Sequence, residues 1–295
     1  MVKIILFYKF VPISDPTKLM DTQRYLCLKL GLKGRILISD QGINGTLGGT
    51  KANLDKYIKA NNSEHTLSDI HYKWSQGSSD TFPKLSIRVR DEIITFNAKS
   101  EIKVDEKGVV GTAKHINADG LHDLIEVQGD RVIFFDGRNS YESAIGRFKG
   151  AVLPNIANTK DFIEEIKHPK YDYLKDKILI TYCTGGIRCE ILSTLLVHRG
   201  FKHVYQLDGG IVSYCEKYGD QGLWEGSLYV FDRRMTIDYS DKTKQLGTCT
   251  FCKGKTNHYI NCANKVCNLL FLVCESCNDK KYCLNEPKSA IVVAG

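Results

Sequence analysis

The chain has 295 residues, of which 42% are hydrophobic, 10% aromatic and 25% charged. These are globular values, they exclude a disordered or fibrous chain, and the length suggests two domains or three small ones. The formal net charge of +7 is uneven: residues 1–100 carry 15 basic and 9 acidic side chains, residues 101–225 carry 16 and 19, and residues 226–295 carry 10 and 6.

Lys3 to Phe10 reads as a strand, with no long apolar stretch or small-residue cleavage site of a signal peptide. Apolar runs such as Leu269 to Val273 fall far short of the ~20 residues that span a bilayer. A cytoplasmic protein with no membrane contact is expected. Asp15-Pro16 predicts a helix start and Gly31 its stop. Arg35–Ser39 and Ile43–Leu47 predict strands, Thr50 caps a helix to about Asn61, and Ile70–Trp74 and Lys84–Ile94 predict further strands. The order is close to the β-α-β-β-α-β of a ferredoxin-like α+β domain, assigned to residues 1–98.

The middle changes style. Arg131–Phe135, Lys177–Tyr182 and His203–Leu207 are short apolar runs of the kind buried on both faces of a parallel sheet. A helix is predicted over Glu190–Arg199, with Gly200 as its stop. Strands alternating with helices imply an α/β domain, assigned to residues 112–225, with its site at the carboxyl ends of the strands. The sharpest feature there is Cys183-Thr184-Gly185-Gly186-Ile187-Arg188-Cys189-Glu190. A buried strand delivers Cys183 to a loop whose glycines allow the amide hydrogens to turn inward. The helix N-terminus and Arg188 add positive charge, so Cys183 is expected to be a thiolate nucleophile. Four residues separate Cys183 from Arg188, a smaller ring than the five of protein phosphatases of this design, and better suited to a persulfide sulfur than to a phosphate. Cys189 is either a resolving thiol or a packing cysteine. Asp136 and Arg138, at the end of the preceding strand, either line the site or pair with each other.

Seven of the eleven cysteines lie between Cys249 and Cys283, in a segment, residues 226–295, with little apolar content. Cys249-x2-Cys252 and Cys274-x2-Cys277 are spaced as in a zinc ribbon, with Cys262-x4-Cys267 between them. Bound zinc would supply folding energy that this core-poor module lacks. Six paired cysteines exceed one tetrahedral ion, so either one pair is spare or two ions share the set with Cys283 or His258. Lys84, Arg88 and Arg90 alternate along one strand face, and Lys253 and Lys255 stand near Phe251 and Tyr259. Both groups are candidate RNA contacts, or ordinary solvated faces.

The loop resembles the rhodanese active-site loop, together with Asp136-Gly137-Arg138-Asn139 and Leu207-Asp208-Gly209-Gly210-Ile211. More narrowly, the chain resembles the rhodanese-related tRNA hydroxylases. The match carries Gly34-Arg35-Ile36 with Gly42-Ile43-Asn44-Gly45-Thr46, the octet Cys183–Glu190, Val230-Phe231-Asp232-Arg233-Arg234 and the paired tail cysteines. Leu121-His122-Asp123 stands where that pattern has a tryptophan. The resemblance implies oxygen-dependent conversion of the wobble uridine of tRNA to 5-hydroxyuridine, with the anticodon loop as partner. It also leaves two alternatives: a sulfurtransferase carrying a persulfide on Cys183, and a zinc-bearing RNA-binding adaptor without activity. No flavin, haem or non-haem iron motif is evident in the sequence.

Overall fold

The computed structural model describes residues 2–284. Contacts divide the described residues into two compact units, one from residues 2–140 and 150–217, the other from Tyr141–Lys149 and residues 218–284.

The first unit begins with strand β1 (Val2–Phe10), helix α1 (Pro16–Lys29), β2 (Lys33–Ser39), β3 (Gly42–Thr50), helix α2 (Lys51–Asn62), β4 (Lys73–Gln76) and β5 (Leu85–Val89). The sequence signals explain the helix starts. Asp15 accepts the Lys18 N–H at 2.9 Å and Thr50 accepts the Asn53 N–H at 3.2 Å, each satisfying a donor that the first helical turn leaves open. The strands form one sheet in the order β4-β1-β3-β2-β5, antiparallel except for β2 with β5.

Two predicted strands are displaced here. Ile70–Trp74 becomes Lys73–Gln76, and Lys84–Ile94 stops at Val89. The Arg90 N–H still reaches Ile38 O at 2.8 Å, but beyond it the Glu92 carboxylate accepts the N–H groups of Phe96, Asn97 and Ala98. That carboxylate gathers the backbone into a loop, and the loop competes with the sheet for the same donors.

β1 sits inside the sheet, paired on both sides, and its period of two decides the site. Ile5 and Phe7 enter the apolar core with Cys27, Leu54 and Tyr57, while Leu6 and Tyr8 occupy the opposite face.

A short hairpin follows, β6 (Val104–Asp105) and β7 (Gly108–Val109), then β8 (Lys114–Ile116), helix α3 (Ala118–Gln128), β9 (Val132–Asp136) and helix α4 (Ser140–Ile145), which crosses into the second unit. β10 (Gly146–Phe148) belongs to that second unit. Helix α5 (Phe162–Glu165), β11 (Ile178–Tyr182), helix α6 (Ile187–His198), β12 (His203–Leu207) and helix α7 (Gly210–Tyr218) complete the α/β part. β8, β12, β11 and β9 form a wholly parallel sheet in that order. Every residue of β11 is buried, as the apolar run predicts. The core over this sheet joins Phe135, Leu179 and Leu192 to Phe10, Ile93, Phe96 and Ile102. Each such side chain contributes roughly 1.5–3 kcal/mol by leaving water.

The second unit adds β13 (Trp224–Gly226) paired with β10, the hairpin β14 (Leu228–Tyr229) with β15 (Thr236–Ile237), and β16 (Tyr259–Asn261) with β17 (Leu270–Leu272). Among the described residues no helix is long and apolar enough to cross a membrane.

Candidate active site

Cys183 leaves the carboxyl end of β11, and α6 begins four residues later at Ile187, three residues earlier than the apolar periodicity predicts. The turn between them is held from three sides. Gly186 has φ +100°, a conformation that costs an L side chain steric strain. From α7, the N–H of Ile211 bonds Cys183 O and that of Val212 bonds Thr184 O, both at 3.0 Å. These bonds turn the loop carbonyls toward α7, and the Gly186 N–H points to the Cys183 sulfur at 3.2 Å. Gly210, at φ +66°, permits this approach, since a Cβ there would fall 2.4 Å from Cys183 O. From β1, Leu6 and Tyr8 cover the loop: a Cβ at Gly185 would lie 2.3 Å from Leu6 Cδ2, and one at Gly186 2.8 Å from Tyr8 Oη.

The sulfur of Cys183 is fully buried, which by itself raises a thiol's pKa. The Cys189 thiol bonded to it, the Arg188 guanidinium and the N–H groups of Arg188 and Cys189 outweigh burial and bring it down to about 5. The proton of the pair stays on Cys189, whose own thiol is pushed up by burial and by the neighbouring Cys183 charge. Arg188 also donates to Thr184 Oγ1 at 3.2 Å, closing the ring across the loop. The arrangement is a charged sulfur in a small cradle of donors, able to attack an electrophilic carbon or to carry a sulfur atom.

The strand end is braced from beneath. Asp136 and Arg138, both fully buried, pair through two bonds of 2.9 and 2.6 Å, and Tyr182 donates to Asp136 Oδ2 at 2.8 Å. Of the two alternatives open for them, the structure shows the mutual pair.

Further residues gather beside the loop, and of these only Glu190, in the octet, and Asp208 carry a signal in the sequence. Glu190, buried in the first turn of α6, accepts from Tyr8 Oη at 3.0 Å, Gln206 Nε2 at 2.9 Å and Thr112 Oγ1 at 3.2 Å, and meets His115 Nε2 at 3.4 Å. His115 also faces Asp208 at 3.6 Å. Although burial alone would raise the Glu190 carboxyl's pKa, the bonds and charge of His115 and the donors Gln206 and Tyr8 hold it below its usual range. Hydrogen bonds to Asp208 and Glu190 raise His115 to about 9, against burial. Lys73, 6% exposed, lies over the Tyr8 ring with Nζ 4.9 Å from its centroid.

Comparison with known proteins gives the family. An acylphosphatase-like domain family (UPF0176) matches residues 2–93, the rhodanese-like domain 117–217 and a rhodanese C-terminal family 225–286. The tRNA uridine(34) hydroxylase of Corynebacterium urealyticum is 53% identical over 275 residues, 93% of each chain, and that of Arthrobacter sp. is 51% identical over 289 residues, 97% of each. The chain belongs to the tRNA uridine(34) hydroxylase family. Among solved structures, the rhodanese-like domain of an Anabaena sp. protein is 20% identical, with a TM-score of 0.33, over 45% of this chain and 94% of its own.

In this family member the other predicted residues fall into two groups. Lys84, Arg88 and Arg90 are all exposed along the edge strand β5 and its flanks. Lys253 and Lys255 are exposed on the second unit, where Lys253 donates to Thr250 O at 3.0 Å. The tail cysteines gather into two sets, each with sulfurs within 4.8 Å of one another: Cys249, Cys252, Cys274 and Cys277, and Cys262, Cys267 and Cys283. Tetrahedral zinc–thiolate sites put sulfurs roughly 3.8 Å apart, so the first set fits one ion. The lone Cys283 joins the C-x4-C pair; His258 does not.

Proposed function

We propose that this protein hydroxylates C5 of uridine 34 in tRNA, with Cys183 as its nucleophile. The observation that carries this reading is the Cys183 thiol brought down to about 5 inside a donor cradle, in a chain whose relatives over nearly their whole length are tRNA uridine(34) hydroxylases. Uracil C5 is a poor nucleophile until something adds at C6. Addition of the Cys183 sulfur there pushes electron density onto C5 and the C4 carbonyl oxygen. Arg188 and the loop N–H groups face the charge that forms. Molecular oxygen is the co-substrate: one atom goes to C5, the other leaves as water, and a two-electron donor balances the reaction. An anticodon base is single-stranded and enters a pocket at little unpairing cost.

In this reading the chain works as three parts. Residues 1–98 present Lys84, Arg88 and Arg90 to the phosphates of the anticodon arm, residues 112–225 hold the chemistry, and residues 226–295 form a metal-stapled module whose Lys253 and Lys255 add RNA contacts. Cys249, Cys252, Cys274 and Cys277 hold a structural zinc, and Cys262, Cys267 and Cys283 provide a second thiolate set. The zinc would supply folding energy and takes no part in the chemistry. A tRNA substrate is the ground on which we assign a cytoplasmic location. The decisive experiment is mass spectrometry of tRNA nucleosides from cells that depend on this protein. Replacing Cys183 with Ser is expected to abolish 5-hydroxyuridine; its persistence would overturn the nucleophile assignment. Persulfide transfer from Cys183 without nucleoside change would favour a sulfurtransferase instead.

A further inference from the structure

The sheet that covers the loop does more than cover it. We propose that Tyr8, from β1, is the proton donor of the Cys183 site and that Glu190 and His115 recharge it. The proposal rests on the reading above, in which the Cys183 sulfur adds to a pyrimidine.

Geometry places these groups in a line. Tyr8 Oη lies directly over Gly186 of the reacting loop. It donates to Glu190 at 3.0 Å, Glu190 meets His115 at 3.4 Å, and His115 meets Asp208 at 3.6 Å. The line runs from a covered loop to solvent: the Glu190 side chain is 10% exposed, that of His115 42% and that of Asp208 61%. A structural hydrogen bond for Tyr8 would be met by any acceptor. A buried carboxylate that spans two further elements costs desolvation that the fold recovers only through several partners. Lys73 Nζ, 4.9 Å from the Tyr8 ring centroid, restrains the ring.

The proton count closes without an oxidant. As the S–C6 bond forms, the C5=C6 electron pair moves to the C4 carbonyl oxygen. The Tyr8 O–H bond breaks and its proton goes to that oxygen. Burial and the charges of Glu190 and Cys183 make the phenol reluctant to part with its proton alone. The His115 imidazolium therefore passes a proton through the Glu190 carboxylate to the phenol oxygen in the same event, and water at the exposed face reprotonates His115. The enol then tautomerises, C5 taking a proton from water and O4 returning its own to water through the relay. The way back removes either hydrogen from C5, so a label there passes to water, and departure of the sulfur regenerates the thiolate and the base.

The groups facing His115 are Glu190 of α6, Asp208 after β12, Gln206 of β12 and Thr112 through Glu190; His71 and Lys73 face Asp208. The two carboxylates raise His115 to about 9, so the relay is loaded below that pH and empties as pH rises through it.

The test uses reversible addition alone. An anticodon stem-loop RNA with tritium on C5 of uridine 34 is incubated with the full chain under nitrogen, and tritium release to water is followed against pH. Wild type is expected to release tritium, with a basic limb near pH 9, and Cys183→Ser to release none. Tyr8→Phe and Glu190→Gln should slow release at least ~10-fold, the lower reach of general acid catalysis. His115→Gln should be slow and lack the basic limb. Wild-type rates in Tyr8→Phe, or an unchanged limb in His115→Gln, overturn the relay while leaving the hydroxylation reading intact. No release from wild type overturns both the C6 addition and the relay, and the reading then stands or falls on the cellular nucleoside assay. Iodoacetamide labelling of the tryptic fragment 178–188, which holds Cys183 alone among the cysteines, reports whether each variant keeps its loop. His115→Gln, on the solvent side, carries the test if Tyr8→Phe does not fold.

Discussion

Two regions of this molecule gather cysteines, and they do so for opposite reasons. Around Cys183 a large apolar core already exists, built from Phe135, Leu179, Leu192 and their neighbours, and the thiols are passengers with a task. In the tail the thiols are themselves the core: among the described residues, Cys249, Cys262, Cys277 and Cys283 share it with Phe271 and Val273 as the buried apolar partners. In the first region charge on sulfur is stabilised by a guanidinium and backbone N–H groups; in the second it calls for a metal ion. A cysteine-rich sequence therefore says little until one asks what else is buried beside it.

The comparison breaks most visibly on metal removal. A strong chelator should unfold the tail, because structural zinc contributes on the order of 10 kcal/mol or more to such modules. Limited proteolysis should then cut between Cys249 and Cys283, and resistance to cutting would show that the thiols need no ion. Next in size is Arg188→Ala. It removes a charge that holds the thiolate, so alkylation of Cys183 should shift to higher pH and 5-hydroxyuridine formation should fall ~100-fold or more. In wild type, burial raises the thiol and the donors more than reverse it, so the thiolate is present above about pH 5 and lost below it. A midpoint near that of free cysteine would refute the cradle. Gly210→Ala comes third. Its Cβ would meet Cys183 O at 2.4 Å from a left-handed backbone, which should cost roughly 1–3 kcal/mol in thermal stability and displace the loop. Smallest is the triple replacement of Lys84, Arg88 and Arg90 by Ala. RNA binding should weaken about equally for all sequences, and the slope of log affinity against log salt should drop by roughly 2. An unchanged slope would remove β5 from the RNA surface.

What could be read from the sequence divides along similar lines. Asp15, Thr50 and the Cys183–Glu190 octet act on residues within a turn of themselves, so their geometry is written locally. The chelating spacing of Cys249-x2-Cys252 is local too. Tyr8 and Glu190, by contrast, are 182 residues apart. Nothing near Tyr8 in the chain marks it, because its place over the loop comes from the pleat of β1 and from the packing of that strand against a loop far along the chain. Glu190 was visible only as an acidic residue in a first helical turn, where the helix dipole alone suffices to explain it. The strand end at Val89 is hidden for a related reason: a single carboxylate, Glu92, draws three backbone donors that the alternation of side chains cannot reveal.

The complete burial of Cys183 beneath Leu6 and Tyr8 carries a last consequence. A sulfur anion held in readiness is vulnerable to every peroxide and stray electrophile in its surroundings. With the β1 residues as a shutter, such agents strike aliphatic and phenolic surface first. Even a small reagent such as iodoacetamide then reacts at a rate set by this cover as well as by the sulfur's charge, so the pH midpoint of alkylation, and not its absolute rate, reads the charge.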